Sequence, residues 1–190
     1  RFLDMAINVK KSFCMRIGSR FSNECACIMT LDGRALQWVN SLKYLGVNLV
    51  TSRVFKCCFD NGKRSFYRAF NSVYGKVGRI ASEDVVISLI KSKCLPVRLY
   101  GLDVCPVNNA QSKSFDFTMT RVLMKMFRTG SILVIKECQL MFNLLPVHML
   151  IQKRKLKFLR KFLASENILC SVCSSVAQSE FNGLLPLSDC

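Results

Sequence analysis

Apolar residues recur with a period of about two over the first fifty positions of the chain, a pattern typical of half-buried strands. The stretch 13–17 alternates in this way and ends at Gly18. Asp32-Gly33 lies between two further β-prone stretches and predicts a two-residue hairpin turn. We therefore expect a small antiparallel sheet or ribbon built from residues 13–17, 28–30, 36–39 and 44–50.

From about Asn61 onward the apolar period is 3.6, which is typical of amphipathic helices. The apolar stripe of the first helix is predicted to consist of Phe66, Phe70, Val73, Val77 and Ile80. Ser82 is the expected N-cap of a second helix. We expect that helix to end before Pro96, because proline interrupts the hydrogen-bond pattern of a helix.

A third helix is predicted from about Ser112 to Arg128, with Gly130 as its C-terminal stop. The residues expected on its core-facing side are Phe115, Met119, Val122 and Met126. The elements expected after it are helices at about 134–144 and 147–165 and an irregular tail from Glu166. The fold class is thus α+β, mainly α: a small antiparallel hairpin or sheet, followed by a basic helical bundle and further helices.

Basic residues outnumber acidic residues by a wide margin. The chain has 28 Lys and Arg against 12 Asp and Glu, a formal net charge of +16, and all of the basic residues lie at or before Lys161. Six of them fall within residues 153–161, in the last long predicted helix. A surplus of this size repels itself unless an anion is close. Nucleic acid is therefore the first expected partner, and an anionic membrane surface the second.

Length and cysteine content indicate a globular intracellular protein. The 190 residues suffice for one domain or two small ones, and a hydrophobic content of 51% excludes a disordered chain. Several of the 11 cysteines, such as Cys94 and Cys105, lie in apolar stretches, and no secretory signal opens the sequence. We expect a location in the cytoplasm, the nucleus or both. No apolar run reaches the roughly 18 residues that span a bilayer, so no membrane-spanning segment is expected. With nucleic acid as the preferred anionic partner, we expect no membrane partner.

The sequence offers few residues for self-contained catalysis. The single histidine, His148, has no acid close in sequence and is expected on a helix surface or in the packing. The adjacent carboxylates Glu83 and Asp84 are explained by the first turn of a helix, where negative charge is favoured. Cys170 and Cys173 have the spacing of a zinc-ligand pair, but two further ligands are missing. No metal site and no cofactor are predicted for this chain.

The chain has three motifs, at residues 8–18, 43–47 and 92–101. In order and spacing they together resemble the reverse transcriptases of non-LTR (LINE-type) retrotransposons. The first resembles motif D and has Asn-Val-Lys-Lys-Ser before a strand; the second resembles motif E, the Tyr-Leu-Gly hairpin called the primer grip. The third resembles the thumb signature, a Leu-Pro followed by Leu-Tyr-Gly. Residues 125–127 and the helix before them match the next part of the thumb pattern. It covers roughly residues 1–160.

The resemblance implies a role for each part of the chain. The C-terminal edge of a palm domain would occupy residues 1–60, a helical thumb 61–130, and a post-thumb connection with a basic helix and an irregular tail 131–190. Lys11 would support catalysis at the leaving pyrophosphate. The primer end would be held by Tyr44, Leu45 and Gly46. Phosphates of RNA or of an RNA–DNA template–primer duplex would be contacted by Lys63, Arg64, Arg68, Lys76, Arg79, Arg121, Lys125 and Arg128.

The sequence also departs from this family. The catalytic carboxylates of motif A and of the Tyr/Phe-Ala-Asp-Asp turn do not occur in it, and we expect the chain to begin after them. Mg²⁺ is therefore implied only for an intact parent polymerase, whose upstream fingers and palm would be partners, and the chain alone is expected to be inactive. The alternative is a non-enzymatic basic nucleic-acid-binding module or a decayed retroelement relic. A membrane-surface protein acting through residues 147–165 would leave the order of the motifs unexplained.

Overall fold

The computed structural model describes residues 6–78 and 80–185. The chain divides into two compact units between Asn61 and Gly62. Short strands make up the first unit and helices the second, so the predicted fold class, α+β and mainly α, is confirmed.

The first unit contains two small sheets. Its strands are β1 Phe13–Cys14, β2 Ile28–Met29, β3 Ala35–Trp38, β4 Ser41–Tyr44, β5 Val47–Val50 and β6 Lys56–Cys58. In one sheet β3 lies between β1 and β2, and in the other β4, β5 and β6 form an antiparallel meander.

One pairing differs from the predicted antiparallel arrangement. β1 runs parallel to β3, with Phe13 opposite Gln37, whereas β2 pairs with β3 in the antiparallel sense. The hairpin of β2 and β3 leaves one edge of β3 open, and β1 fills that edge in the same direction as β3. The alternation of apolar residues in the stretch 13–17 could not predict the parallel pairing. Such alternation indicates which side chains share a face of the strand, but not the direction of the neighbouring strand.

The turn between β2 and β3 contains three residues and not the predicted two. Thr30 N donates to Arg34 O at 2.8 Å, and Gly33 N donates to Thr30 O at 2.9 Å. Gly33 has φ 72°, a left-handed conformation that glycine adopts at low cost. A three-residue loop with a left-handed third residue is a common hairpin connection. The Asp-Gly pair therefore marked the hairpin, but Leu31 also belongs to its loop.

The second unit is helical. Its elements are α1 Asp60–Val77, which begins in the last two residues of the first unit, α2 Glu83–Leu89, a π-helical segment Ile90–Cys94, α3 Leu95–Leu99, α4 Asn109–Phe127, α5 Ile132–Met141, α6 Val147–Leu163, α7 Ile168–Val172 and α8 Ser174–Leu184.

The helix that begins after Ser82 does not end before Pro96, contrary to the prediction. It continues through the π-helical segment into α3, which carries Pro96 in its first turn. The N–H of Leu95 bonds the carbonyl of Ile90, five residues earlier. A π turn is wider than an α turn and relieves the clash between a proline ring and the preceding turn. Burial of Leu95 and Leu99 favours continuation of the helix.

The core of the second unit includes side chains from α1 and α4. The four predicted core residues of α4, Phe115, Met119, Val122 and Met126, are all buried, which confirms its apolar face. On α1, Phe66 and Phe70 are buried as expected. The predicted stripe fails at Ile80, which is 89% exposed because α1 has already ended at Val77.

α4 ends close to the predicted Arg128, but its start and its C-terminal capping residue differ from those predicted. A reciprocal capping box places its start before Ser112: Asn108 Oδ1 accepts from Gln111 N at 2.8 Å, and Gln111 Oε1 accepts from Asn108 N at 3.0 Å. At the other end the left-handed residue is Arg128, with φ 52°, and not Gly130. Thr129 N then donates to Met124 O at 3.2 Å and satisfies a terminal carbonyl.

The tail predicted as irregular is helical. Asn167 Oδ1 accepts from Leu169 N at 2.9 Å and starts α7, and α8 lies against α6. Ala177 is the residue of α8 that is buried, and Glu180 pairs with Lys155 of α6. A helix that buries so little apolar surface has weak periodicity in its sequence, which explains why it was not predicted.

Candidate nucleic-acid interface

The hairpin of β4 and β5 presents the Tyr-Leu-Gly sequence at its tip. Tyr44 pairs with Val47, so Leu45 and Gly46 form a two-residue loop. Their φ angles, 45° and 82°, are both positive, as a type I′ turn requires. The side chain of Tyr44 is 62% exposed and that of Leu45 is 74% exposed. The tip therefore offers one aromatic ring and one aliphatic side chain to solvent.

The backbone at Leu45 is unfavourable for a leucine. A left-handed conformation costs an L-residue with a Cβ about 1–2 kcal/mol, and turns of this type favour Asn, Asp or Gly at that position. Leu45 therefore carries a backbone cost at an exposed position. Strained residues of this kind are enriched where a side chain contacts a ligand.

Lys11 lies in a tight turn immediately before β1. Lys11 N and Ser12 N both donate to Asn8 O at 2.9 Å, and Asn8 Oδ1 accepts from Lys10 N at 3.1 Å. The Asn-x-x-Lys-Ser segment is thus a turn stabilised by its own asparagine. The side chain of Lys11 is exposed at the start of the strand.

On α1, three of the candidate bases lie on the exposed side of the helix. Arg64, Arg68 and Lys76 are exposed, whereas Lys63 is half-buried on the side of Phe66 and Phe70. Arg64 and Lys76 are twelve positions apart, which corresponds to about 18 Å along the axis. Arg79 lies outside the described residues.

The candidate bases of α4 have different environments. Arg121 and Arg128 are exposed, the latter at the left-handed end of the helix. Lys125 is engaged with α1: its Nζ donates to Asn71 Oδ1 at 3.0 Å and lies 5.8 Å from the ring centre of Phe70 and 5.9 Å from that of Tyr74. Lys125 therefore connects two helices, a structural role that its place in the sequence does not reveal.

A further basic stripe, which the candidates from the sequence omit, runs along α6. Its exposed members are Lys153, Arg154, Lys157, Arg160 and Lys161. Their spacing of three and four residues places them along one side of the helix. Lys155 is set apart from them by its ion pair with Glu180. The run of six basic residues at 153–161 could have predicted this stripe from the sequence. The position of α8 shows which five of them face solvent.

His148 has an acidic partner that is distant in sequence. Its Nδ1 lies 3.0 Å from Asp116 Oδ2, and Asp116 Oδ1 accepts from Val147 N at 2.7 Å. Pro146, the N-cap of α6, has no side-chain cap, so a carboxylate of α4 replaces it. The pair joins two helices, in agreement with the expected surface or packing role of this histidine.

Metal ligands do not cluster in the described ranges 6–78 and 80–185, where no group of three or more His, Cys, Asp and Glu side chains could hold a metal ion. Cys170 is half-buried and Cys173 is exposed. The side chains described thus do not fit the Mg²⁺ that the family resemblance implies for a parent polymerase.

Cys94 is fully buried in the π-helical segment, and burial raises the pKa of its thiol above the ordinary value of 9.0. The unfolded chain therefore loses this proton at a lower pH than the folded chain. Below about pH 9 the thiol is neutral in both states. Above it, the free energy of unfolding should fall by up to about 1.4 kcal/mol per pH unit until the folded thiol also ionises.

Urea unfolding at several values between pH 8 and pH 10 measures this dependence. The Cys94→Ala variant should lack it, whereas Cys173→Ala, at an exposed cysteine, should retain it. An equal slope in both variants would contradict the assignment to Cys94.

Within the described residues no helix combines the length and apolarity needed to cross a membrane. Comparison with known protein families, with curated proteins and with solved structures finds no match to this chain.

Proposed function

We propose that this chain is the duplex-gripping part of an RNA-directed DNA polymerase of the non-LTR retrotransposon type, acting in the cytoplasm, the nucleus or both. Its hairpin tip holds the primer end, and its basic helices hold the phosphates of an RNA–DNA template–primer duplex. It binds and positions nucleic acid, while the chemistry belongs to the upstream fingers and palm of a parent polyprotein.

The observation that carries the proposal is the hairpin. The Tyr-Leu-Gly segment forms a two-residue turn between paired strands, and its tyrosine and leucine point into solvent. Leu45 is held at φ 45° and its side chain is 74% exposed. A contact between this tip and the sugar and base at a primer terminus accounts for both the strain and the exposure.

The helices supply the electrostatic part of the proposal. Arg64, Arg68 and Lys76 on α1 and Arg121 and Arg128 on α4 are exposed, long side chains able to reach phosphate oxygens. Such contacts position a duplex without reading its sequence. Lys125 supports them by tying α4 to α1, whether or not it also touches a phosphate.

In this proposal, the chain does not catalyse the reaction by itself. Phosphoryl transfer requires carboxylates that hold two cations at the reacting phosphate, and the Asp-Asp turn that would supply them does not occur in the sequence. Lys11, in its turn before β1, would neutralise charge on the leaving group once a complete palm is present.

Fluorescence anisotropy with labelled duplexes tests the proposal. For about six phosphate contacts, the affinity for an RNA–DNA hybrid should fall roughly a thousandfold between about 50 and 200 mM salt. A hybrid with a recessed DNA 3′ end should bind more tightly than a blunt hybrid of equal length, and replacing Tyr44 and Leu45 with Ala should remove that preference.

Two results separate the proposal from its alternatives. Salt-dependent binding with no preference for a recessed end would indicate a non-enzymatic basic binding module or a relic of the element. An affinity that does not change with salt would exclude both the proposal and that alternative, because neither could then rest on phosphate contacts.

A further inference from the structure

The second unit contains an open cavity of about 430 Å³ between the π-helical segment, α3, the loop before α6, and α6 itself. This volume is within the range of small-molecule sites. Its apolar lining comes from Leu95, Leu99, Leu144 and Leu150, together with Pro96 and Leu145. None of its lining residues belongs to the hairpin or to α1.

The charged side chains that line this cavity are all basic. Lys91, Lys153 and Arg154 contribute three cations, and no carboxylate is among the lining residues. Lys91 is held in place because its Nζ donates to Phe142 O at 2.8 Å, which leaves its remaining N–H groups for a ligand. Lys153 and Arg154 are exposed on α6. An apolar floor with a cationic rim is complementary to a molecule that has one anionic end and one apolar end.

The geometry of the wall adds two features. The π-helical segment supplies Lys91 and leads into Leu95, and π turns of this kind occur frequently at functional sites. The loop opposite holds Asn143 at φ 48°, which turns the chain so that Leu144 is buried while Leu145 lies at the surface. Both walls are irregular where they face the cavity.

We propose that this cavity binds a single-chain alkyl anion, with its carboxylate or phosphate head on Lys91, Lys153 and Arg154 and its hydrocarbon tail along the leucines. An aliphatic tail is favoured over a nucleobase because no aromatic side chain lines the cavity, and base recognition relies on aromatic stacking. Charge-assisted hydrogen bonds to the head fix its orientation.

Isothermal titration of the full chain with dodecyl phosphate and with dodecanoate, each below its micelle concentration, tests the site. One molecule should bind per chain without a change in the far-UV circular dichroism spectrum. Dodecanol, dodecyltrimethylammonium and inorganic phosphate should each bind at least about tenfold more weakly, since each lacks either the anionic head or the tail.

Two variants locate the binding. Replacing Lys153 and Arg154 with Gln should weaken binding of dodecyl phosphate about tenfold. Leu145→Trp, which fills the mouth from a surface position, should abolish it. A matched control that replaces Lys113 and Lys136, two exposed lysines outside the cavity lining, with Gln should bind as the parent chain does.

Several outcomes would overturn the proposal. They are equal binding of dodecanol or of the cationic amphiphile, binding of many molecules per chain, and an unchanged affinity in Leu145→Trp. Absence of saturable binding, combined with a lower affinity of the Lys153/Arg154 variant for a hybrid duplex, would assign the rim to nucleic acid instead. Binding only to vesicles that contain an anionic lipid would assign it to a membrane surface.

Discussion

Replacing Arg64, Arg68 and Lys76 together with Gln is expected to weaken binding of an RNA–DNA hybrid about a thousandfold at about 50 mM salt. Each phosphate contact releases roughly one counterion, which is worth about tenfold in affinity at that salt concentration. The three side chains are exposed on α1 and span about 18 Å of its axis, so they can reach separate phosphates at once. The slope of log affinity against log salt should fall by about three.

We expect this loss of affinity to come from direct phosphate contacts and not from the change in net charge. A variant with the same change in charge separates these two causes. Lys93, Lys113 and Lys136 are exposed lysines outside the exposed side of α1. Changing all three to Gln removes the same charge, but it should reduce affinity only slightly and leave the salt slope nearly unchanged. Long-range charge is screened within about 10 Å at 0.1 M salt.

The hairpin provides an internal check on the α1 variant. If the tip holds the primer end, the preference for a recessed 3′ end should survive in the α1 variant even though its overall affinity is low. Equal losses in the α1 variant and in the lysine control would show that only the overall charge matters. The proposed phosphate contacts of α1 would then be wrong.

Local patterns predicted the apolar face of α4 because that helix is long and buries one side throughout. Phe115 and Met126 lie three turns apart on it, and both are buried. The start of the same helix and its C-terminal capping residue were not predicted, because caps depend on hydrogen bonds and backbone conformations that residue type alone does not fix. The pair of Asn108 and Gln111 and the left-handed Arg128 each override a rule based on residue type alone.

The π turn before Pro96 and the helical tail share another cause. Proline stops a helix when nothing opposes it, but burial of Leu95 and Leu99 outweighs the lost hydrogen bond once the preceding turn widens. Near the end of the chain, Ala177 of α8 is buried, but α8 has no apolar stripe from which the helix could be predicted. Tertiary contacts decided both places.

In the candidate site, too, some features follow from local sequence patterns and others depend on contacts between distant residues. The exposed bases of α1 follow from the 3.6 period, because polar positions opposite an apolar stripe face solvent. The tie between Lys125 and Asn71 spans 54 positions, and that between His148 and Asp116 spans 32. No spacing rule reaches so far. Residues alike in sequence, such as Arg121 and Lys125, therefore differ in their surroundings.

Arg98 provides the largest expected effect on folding. Its side chain is only 4% exposed, and its guanidinium lies 4.1 Å from the ring centre of Phe115, so it packs α3 against α4. Arg98→Ala should lower the free energy of unfolding by about 3 kcal/mol, because it leaves a cavity and removes a desolvated contact between a cation and a ring. Urea unfolding followed by circular dichroism measures this loss.

Two variants identify which property of Arg98 matters. Arg98→Lys keeps the charge but cannot lay a planar group on the ring, so it should still cost about 2 kcal/mol. Arg121→Ala, at an exposed arginine of α4, should change stability by less than about 0.5 kcal/mol. If Arg98→Ala were as stable as the parent chain, the contact with Phe115 would not hold the helices together.

Cys94 gives a second measurement of the same event. This buried thiol lies four residues before Arg98, in the π-helical segment that leads into α3, and it reacts with a thiol reagent only when this region opens. A loss of about 3 kcal/mol corresponds to roughly a hundredfold rise in its labelling rate in Arg98→Ala. A rise at Cys94 without a matching fall in global stability would mean that Arg98 secures the π-helical segment and α3 alone, and not the unit as a whole.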